Sequence, residues 1–453
     1  MRRFMTVFSA LLLSFCLMAP ADADPDFIDL FPTEVMEDES TLDLEIVGSS
    51  RVESRLKPGR FFKRIRFEFT SFKWAGETWR HTASLLLPDR EIPQRYAGSV
   101  AIVSQASTLE RRWSKLAEIP PLLGFPSLVI ESGNPGPRYG ETTEGMVMQH
   151  GLDRFLETLD PRWIGYTQLG KVIVRSVTAA SALGRRKGFS IDRAVVTGSS
   201  KRGLASWIAC AADDRIVGAM PSGCLSGDLS AFLEHKLLRW GAKYAPFPES
   251  RGPASVTTAE QIAFTQAPGW YLYDRFTDPY LLQERLVGKK ILSTIGTVDP
   301  FYPVTYGPEW QDAMKVAPFQ QLYASGYGHG HDSDQHYDAW AMWLAHCLGG
   351  RTLTALQVKT QRQEDQLVIT VRGASEQSLR KVTVCYAIDP NGTFLPENTT
   401  WIRKTMSKVA TGTYRFTIPE SRGKYILSYV EVRDRDENGV PGVVTSRLIE
   451  TGP

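Results

Sequence analysis

The stretch Ala194-Val-Val-Thr-Gly-Ser-Ser-Lys-Arg-Gly203 constrains this chain more than any other. An apolar run stops at Thr197-Gly198, two serines and a Lys-Arg pair follow, and from Leu204 apolar residues recur at helical spacing. A buried strand that turns at once into a helix is the layout of a nucleophile elbow. Such a turn lifts one serine hydroxyl above a parallel sheet, facing the helix N-terminus and the N–H of the next residue. The pattern reads Gly198-x-Ser200-x-Arg202, with Gly203 one place beyond the second glycine of the usual motif. Ser200 is the candidate nucleophile. A Gly-x-Ser turn is common in itself, so the remaining chain must supply the partners.

The flanking sequence alternates strand-like and helix-like segments. Residues 99–104, 127–131, 216–220, 290–295 and 320–324 are short apolar runs of the kind buried in a parallel sheet. Residues 109–123, 141–159, 165–183, 203–212 and 336–348 read as helices between or after them. This rhythm predicts a mostly parallel α/β sheet with helices on both faces. Residues 61–87 read as a hairpin turning near Ala75-Gly76. Residues 222–280 break the rhythm with Trp240, Tyr244, Phe247, Trp270, Tyr271 and Tyr273. They are expected to form an aromatic-rich insertion, which either covers the carboxyl ends of the strands, where such sheets bind ligands, or is irregular packing. Past Gly349-Gly350, short alternating segments predict an Ig-like β-sandwich over 351–453. The α/β unit is expected over 61–350, preceded by a weakly structured extension over 24–60.

An elbow serine needs a base and a residue to orient it, in the order Ser, acid, His along such a chain. The run at 290–295 leads into Gly296-Thr-Val-Asp-Pro, placing Asp299 just past a strand. The run at 320–324 leads into Ser325-Gly-Tyr-Gly-His-Gly-His331, offering His329, with His331 as the alternative base. Ser200, Asp299 and His329 thus fall in the required order on successive strands. The oxyanion donors are expected from the Lys201 N–H and from the loop after 99–104, at Gln105 and Ala106. Ser199 is expected to point away from the site.

The formal charge of +2 over 453 residues gives no reason to expect a nucleic-acid partner. Residues 1–23 read as a secretory signal: Arg2-Arg3, an apolar core containing Leu11-Leu-Leu13, and the small residues Ala21 and Ala23 around the cut. No other stretch is long and apolar enough to span a bilayer, so no membrane span is expected after cleavage, and the product is expected in the periplasm or outside the cell. Cys210, Cys224, Cys347 and Cys385 then remain. Export permits a bridge, of which Cys210–Cys224 is the most plausible by spacing, against free buried thiols. The group His329, His331, Asp332, Asp334 and His336 lacks regular ligand spacing, so neither a metal nor another cofactor is expected. Arg202 could reach a substrate anion or pair with an acid such as Glu144.

Thr197-Gly-Ser-Ser-Lys-Arg-Gly203, with Asp214-Arg-Ile-Val217 and Pro221 behind it, resembles the Gly-Ala-Ser-Lys-Arg-Gly segment of the PhoPQ-activated pathogenicity-related proteins. Glu144, Trp163, Lys171-Val-Ile-Val-Arg-Ser176, Gly296-Thr-Val-Asp-Pro-Phe-Tyr302, the stretch 323–329 and Tyr429-Val-Glu431 are similar to further segments of that family. Ser199 replaces its Ala and Leu204 its Trp. The resemblance implies an exported α/β-hydrolase-like protein with a trailing β domain. The Ser-x-Arg of the elbow is also similar to glucuronoyl esterases, in which a basic residue beside the serine assists the oxyanion. Together these readings predict an exported serine hydrolase of esterase or peptidase type, acting on a small-molecule or polymer ester or amide through an acyl-enzyme. The alternative is a catalytically silent hydrolase fold used as a secreted binding or virulence-related protein.

Overall fold

A computed structural model describes residues 26–104, 115–130, 139, 144–225, 227–249, 255–330, 332–374, 378–419 and 422–453. Nine strands form the main sheet: β1 (Glu45–Glu53), β2 (Phe61–Trp74), β3 (Glu77–Pro88), β4 (Gly98–Ser104), β5 (Ser127–Ile130), β6 (Ile191–Ser199), β7 (Ile216–Ser222), β8 (Lys290–Gly296) and β9 (Gln320–Ala324). Their spatial order is β1-β2-β3-β5-β4-β6-β7-β8-β9. The strands β5, β4, β6, β7, β8 and β9 run parallel, and β1 to β3 are added antiparallel at one edge. This is an α/β-hydrolase-type sheet.

The local sequence explains the elements. β2 alternates, with Phe67 and Phe69 fully buried on one face. Its hairpin to β3 turns through Ala75 (φ 47°) and Gly76 (φ 87°), the paired positive φ angles of the tight turn that matches strand twist. The parallel strands are buried on both faces, hence their unbroken apolar runs: Val195 and Val196 are fully buried in β6. The helices that cover the sheet include α1 (Glu144–Thr158), α2 (Gly165–Arg186) and α3 (Lys201–Ala212).

Residues 26–53 differ from the weakly structured reading. Phe27, Leu30, Phe31, Met36 and Leu42 belong to the main core, and β1 pairs with β2 along its length. The cause is one buried side chain of α2. Arg175 donates to the carbonyls of Val35, Met36 and Asp38 and to Thr41 Oγ1 at 2.8–3.0 Å, tying the segment down.

Among the described residues of 222–280 the chain forms three helices: α4 (Leu229–Trp240), α5 (Thr258–Thr265) and α6 (Trp270–Thr277). The chain returns through β8 and β9 to α7 (Asp334–Leu348). Trp340 and Trp343 of α7 are buried, and so are residues on its other sides, because a β-sandwich packs there: Val440 and Val443 share its core cluster. The sandwich consists of a four-stranded antiparallel sheet (β10 Ala355–Gln363, β11 Gln366–Ala374, β14 Ser407–Ala410, β15 Thr413–Ile418) and a five-stranded one (β12 Ser378–Asp389, β13 Ile402–Thr405, β16 Tyr425–Arg435, β17 Pro441–Thr445, β18 Ile449–Thr451). Gln335 of α7 joins the two parts, donating to Tyr323 O of β9 (3.0 Å) and to Glu431 Oε2 of β16 (2.9 Å).

No disulfide joins Cys210, Cys224, Cys347 and Cys385 to one another. Cys210 sits near the C-terminal end of α3, with Sγ toward Ile216 O, whereas Cys224 packs beside Gly203 at the start of α3. Seven helical residues, about 10 Å, separate Gly203 from Cys210, which is beyond the reach of a disulfide.

Candidate active site

β6 ends at Ser199 and α3 begins at Lys201, so Ser200 alone makes the turn, with φ 57° and ψ −125°. A non-glycine residue held there is strained. Three backbone bonds fix it: its N–H donates to Ser222 O on β7 (2.8 Å), and its carbonyl accepts from the N–H groups of Gly203 (2.8 Å) and Leu204 (3.1 Å). Two glycines make the turn possible. A Cβ on Gly198 would lie 2.6 Å from Arg202 O, and one on Gly203 would lie 2.9 Å from Ser222 O. Gly203 thus provides the close helix–strand approach that Arg202 cannot. Lys201 occupies the first position of α3, where the N–H has no intrahelical partner.

Both basic residues of the motif turn toward Glu144, the first residue of α1. Arg202 forms a nearly buried ion pair with it, and Lys201 Nζ lies 3.8 Å from Oε1. Burial pulls the Arg202 pKa below its ordinary value, and Glu144 opposes that. Of the two readings of Arg202, the structure places it in the pairing with Glu144.

Asp299 follows β8, and its side chain is fully buried. Oδ1 accepts the N–H of Phe301 at 2.8 Å, and Oδ2 lies 2.8 Å from Nδ1 of His329. An ionised carboxylate only accepts, so the imidazole proton belongs on Nδ1, which leaves Nε2 able to take a proton. The loops after β8 and β9 are laced together: Thr297 N–H donates to Ala324 O (2.9 Å), Val298 N–H to Tyr327 O (3.0 Å) and Gly326 N–H to Thr297 Oγ1 (2.8 Å). Gly296 admits this approach, since a Cβ there would lie 2.2 Å from the carbonyls of Tyr327 and Gly328. Phe301 and Tyr302 flank the His329 ring, with centroids at 4.6 and 6.1 Å.

The His329 loop lies against the elbow. A Cβ on Gly330 would meet Ser199 Oγ at 3.4 Å, and one on Gly223 would meet His329 Nδ1 at 3.4 Å. Ser199 therefore faces this loop rather than pointing away from it. Asp299 and His329 are hydrogen-bonded. Among the described residues no hydrogen bond joins Ser200 Oγ to His329; such contacts often tighten only when substrate is bound. His331, Gln105 and Ala106 lie outside the described residues. Among those described, no group of His, Cys, Asp and Glu is arranged to hold a metal ion, and no helix is long and apolar enough to cross a membrane.

The insertion reaches the acid loop. Tyr244 OH donates to Pro300 O (3.0 Å), and the Phe247 ring lies 5.7 Å from that of Phe301. A cavity of 580 Å³ opens between Tyr244, Phe247, Val298, Pro300, Pro396 and Glu397. No motif in the aromatic stretch singled out these contacts; its composition was the only signal.

Several known proteins are similar to this chain. A 64-residue stretch is 31% identical to autocrine proliferation repressor protein A of Dictyostelium discoideum, covering 14% of this chain and only 13% of that protein. Among solved structures, an acetyl xylan esterase from Paenibacillus sp. R4 superimposes at 14% identity over 75% of this chain and 99% of its own, with a TM-score of 0.48. A glucuronoyl esterase from Teredinibacter turnerae T7901 does so at 15% identity over 71% of this chain and 83% of its own, with a TM-score of 0.43. The family model for the PhoPQ-activated pathogenicity-related protein matches residues 52–393, most of the chain. The chain belongs to the PhoPQ-activated pathogenicity-related protein family.

Proposed function

We propose that this protein is an exported serine hydrolase that cleaves an ester or amide through an acyl-enzyme. The observation that carries the reading is the backbone of Ser200, a serine at φ 57° between a parallel strand and a helix, with the bonded pair Asp299–His329 on the loops after β8 and β9. Strain of that kind is retained where a hydroxyl must be presented.

In this reading Ser200 Oγ attacks the substrate carbonyl and His329 Nε2 takes its proton. Asp299 holds the ring and balances the imidazolium. The Lys201 N–H, with N–H groups from Gln105 and Ala106, receives the negative oxygen. Collapse expels the alcohol or amine, protonated by His329, and leaves an acyl-Ser200 ester. Water, deprotonated by His329, then attacks that ester and releases the acid, restoring the serine.

A fluorophosphonate probe tests the reading. Wild-type protein is expected to be labelled and Ser200→Ala is not. Equal labelling of both, or of neither, would sink it and leave the silent binding protein. Export rests on residues 1–23 and is checked by the N-terminus of protein recovered outside the cytoplasm, expected at Asp24.

A further inference from the structure

β9 is the last strand of the main sheet, so one of its edges has no strand of that sheet beside it. Such an edge presents N–H and C=O groups that must find other partners when they are buried. Here the β-sandwich and α7 supply side chains in place of a neighbouring strand. The Thr445 hydroxyl of β17 donates to Gln321 O (2.9 Å) and accepts the N–H of Tyr323 (3.3 Å). The carbonyl of Tyr323 accepts from Gln335 Nε2 of α7 (3.0 Å). The same amide nitrogen donates to Glu431 Oε2 of β16 (2.9 Å), a buried carboxylate whose Oε1 takes Arg403 Nη2 (2.9 Å) and Arg433 Nε (3.1 Å). The Tyr323 ring is itself buried, with its centroid 5.4 Å from that of Tyr429 on β16. Both polar backbone groups of residue 323 are thus held by side chains from outside the sheet.

The next residue ties this edge to the site. The carbonyl of Ala324 accepts the N–H of Thr297 (2.9 Å), two residues before Asp299, and the N–H of Tyr327 (3.2 Å), two residues before His329. The end of β9 is therefore a common anchor for both loops, and it is fastened to the sandwich one residue earlier.

We propose that the β-sandwich is part of the catalytic unit, with Thr445 as a positioning residue: through Tyr323 and the carbonyl of Ala324 it sets where Asp299 and His329 lie. Gln335, held by Glu431, secures the same residue at its carbonyl. The sandwich then acts on the base from behind, without touching substrate. The effect on rate rests on the serine-hydrolase reading; the coupling of Thr445 to the two loops does not.

Three variants of the full chain test the proposal. Thr445→Val keeps nearly the same shape without the hydroxyl, and Thr445→Ser keeps the hydroxyl without the methyl group. Ile369→Val trims a buried side chain in the other sheet of the sandwich, away from this contact. The first measurement is amide hydrogen exchange by NMR. The N–H groups of Tyr323, Thr297 and Tyr327 are expected to exchange about 10-fold faster in Thr445→Val and at the wild-type rate in the other two. Unchanged exchange at Thr297 and Tyr327 in Thr445→Val overturns the proposal whether or not the protein is a hydrolase. The second is the fluorophosphonate labelling rate, expected to fall about 10–100-fold in Thr445→Val and to stay near wild type in Thr445→Ser and Ile369→Val. Labelling of Thr445→Val at the wild-type rate overturns the proposal, and so does equal slowing in Thr445→Ser or Ile369→Val, which would point to stability alone. If the wild type is never labelled, the hydrolase reading fails and the exchange rates still decide the coupling.

Discussion

The carboxylate of Asp299 is divided between two loops: one oxygen takes the N–H of Phe301 two residues on, and the other meets Nδ1 of His329 at 2.8 Å. Both oxygens are used, so the carboxylate cannot rotate without breaking a bond. Asp299→Asn keeps the shape, but an amide nitrogen must then face one of two donors. We expect the fluorophosphonate labelling rate to fall by about 10³–10⁴-fold with little change in melting temperature. Labelling at the wild-type rate would remove Asp299 from the mechanism.

Gly296 tests whether the two loops act as one unit. A methyl group there meets two carbonyl oxygens at 2.2 Å, and backbone cannot yield as a side-chain end can. Gly296→Ala is expected to destabilise the fold by about 1–3 kcal/mol, read from the urea midpoint, and to slow labelling as well. A normal labelling rate in a destabilised protein would show that the loops hold Asp299 and His329 independently.

The ion pair of Arg202 with Glu144 is nearly dry, the side chains being 6% and 11% exposed. Removing one partner strands the other. Glu144→Ala is expected to cost about 3–5 kcal/mol, and the double variant Glu144→Ala/Arg202→Met clearly less than the sum of the two singles. Additive costs in chemical denaturation would mean that the two charges do not stabilise each other.

Asp274 and Asp278 share a buried site at the end of α6, and Asp274 Oδ1 has no partner among the described residues. Burial raises the Asp274 pKa from 3.8 to about 8, with Asp278 and Asp228 adding repulsion. A raised carboxyl pKa gives stability that is present in full below the ordinary carboxylate range and lost as pH rises through the folded value. Asp274→Asn should therefore raise the melting temperature at pH 8–9 and change it little at pH 4. The opposite order in thermal scans would refute this assignment.

Much of the fold was legible because its signals are local. Buried parallel strands need apolar residues on both faces, so 99–104 and 194–196 announced themselves. The elbow was legible through Gly198 and Gly203, whose missing side chains are a steric requirement of the turn. The order of Ser200, Asp299 and His329 could be read from which strands precede them. What escaped depends on distant partners. The segment 26–42 is ordered by Arg175, more than 130 residues away, and β1 is an exposed strand whose place comes from pairing with β2. The helix α7 is buried nearly all round because the sandwich arrives about 90 residues later. The spacing of Cys210 and Cys224 says nothing of the opposite ends of α3 to which they are fixed.

The dihedral angles at residue 200 have a consequence for how this protein can vary. Glycine is the residue that this backbone position favours on its own terms, and a side chain there costs about 1–3 kcal/mol. The chain is therefore locally most comfortable in a form that carries no hydroxyl at the turn. Ser200→Gly should melt at or above the wild-type temperature while labelling is abolished, so screening for thermal stability alone would select against the very residue around which the sheet is arranged.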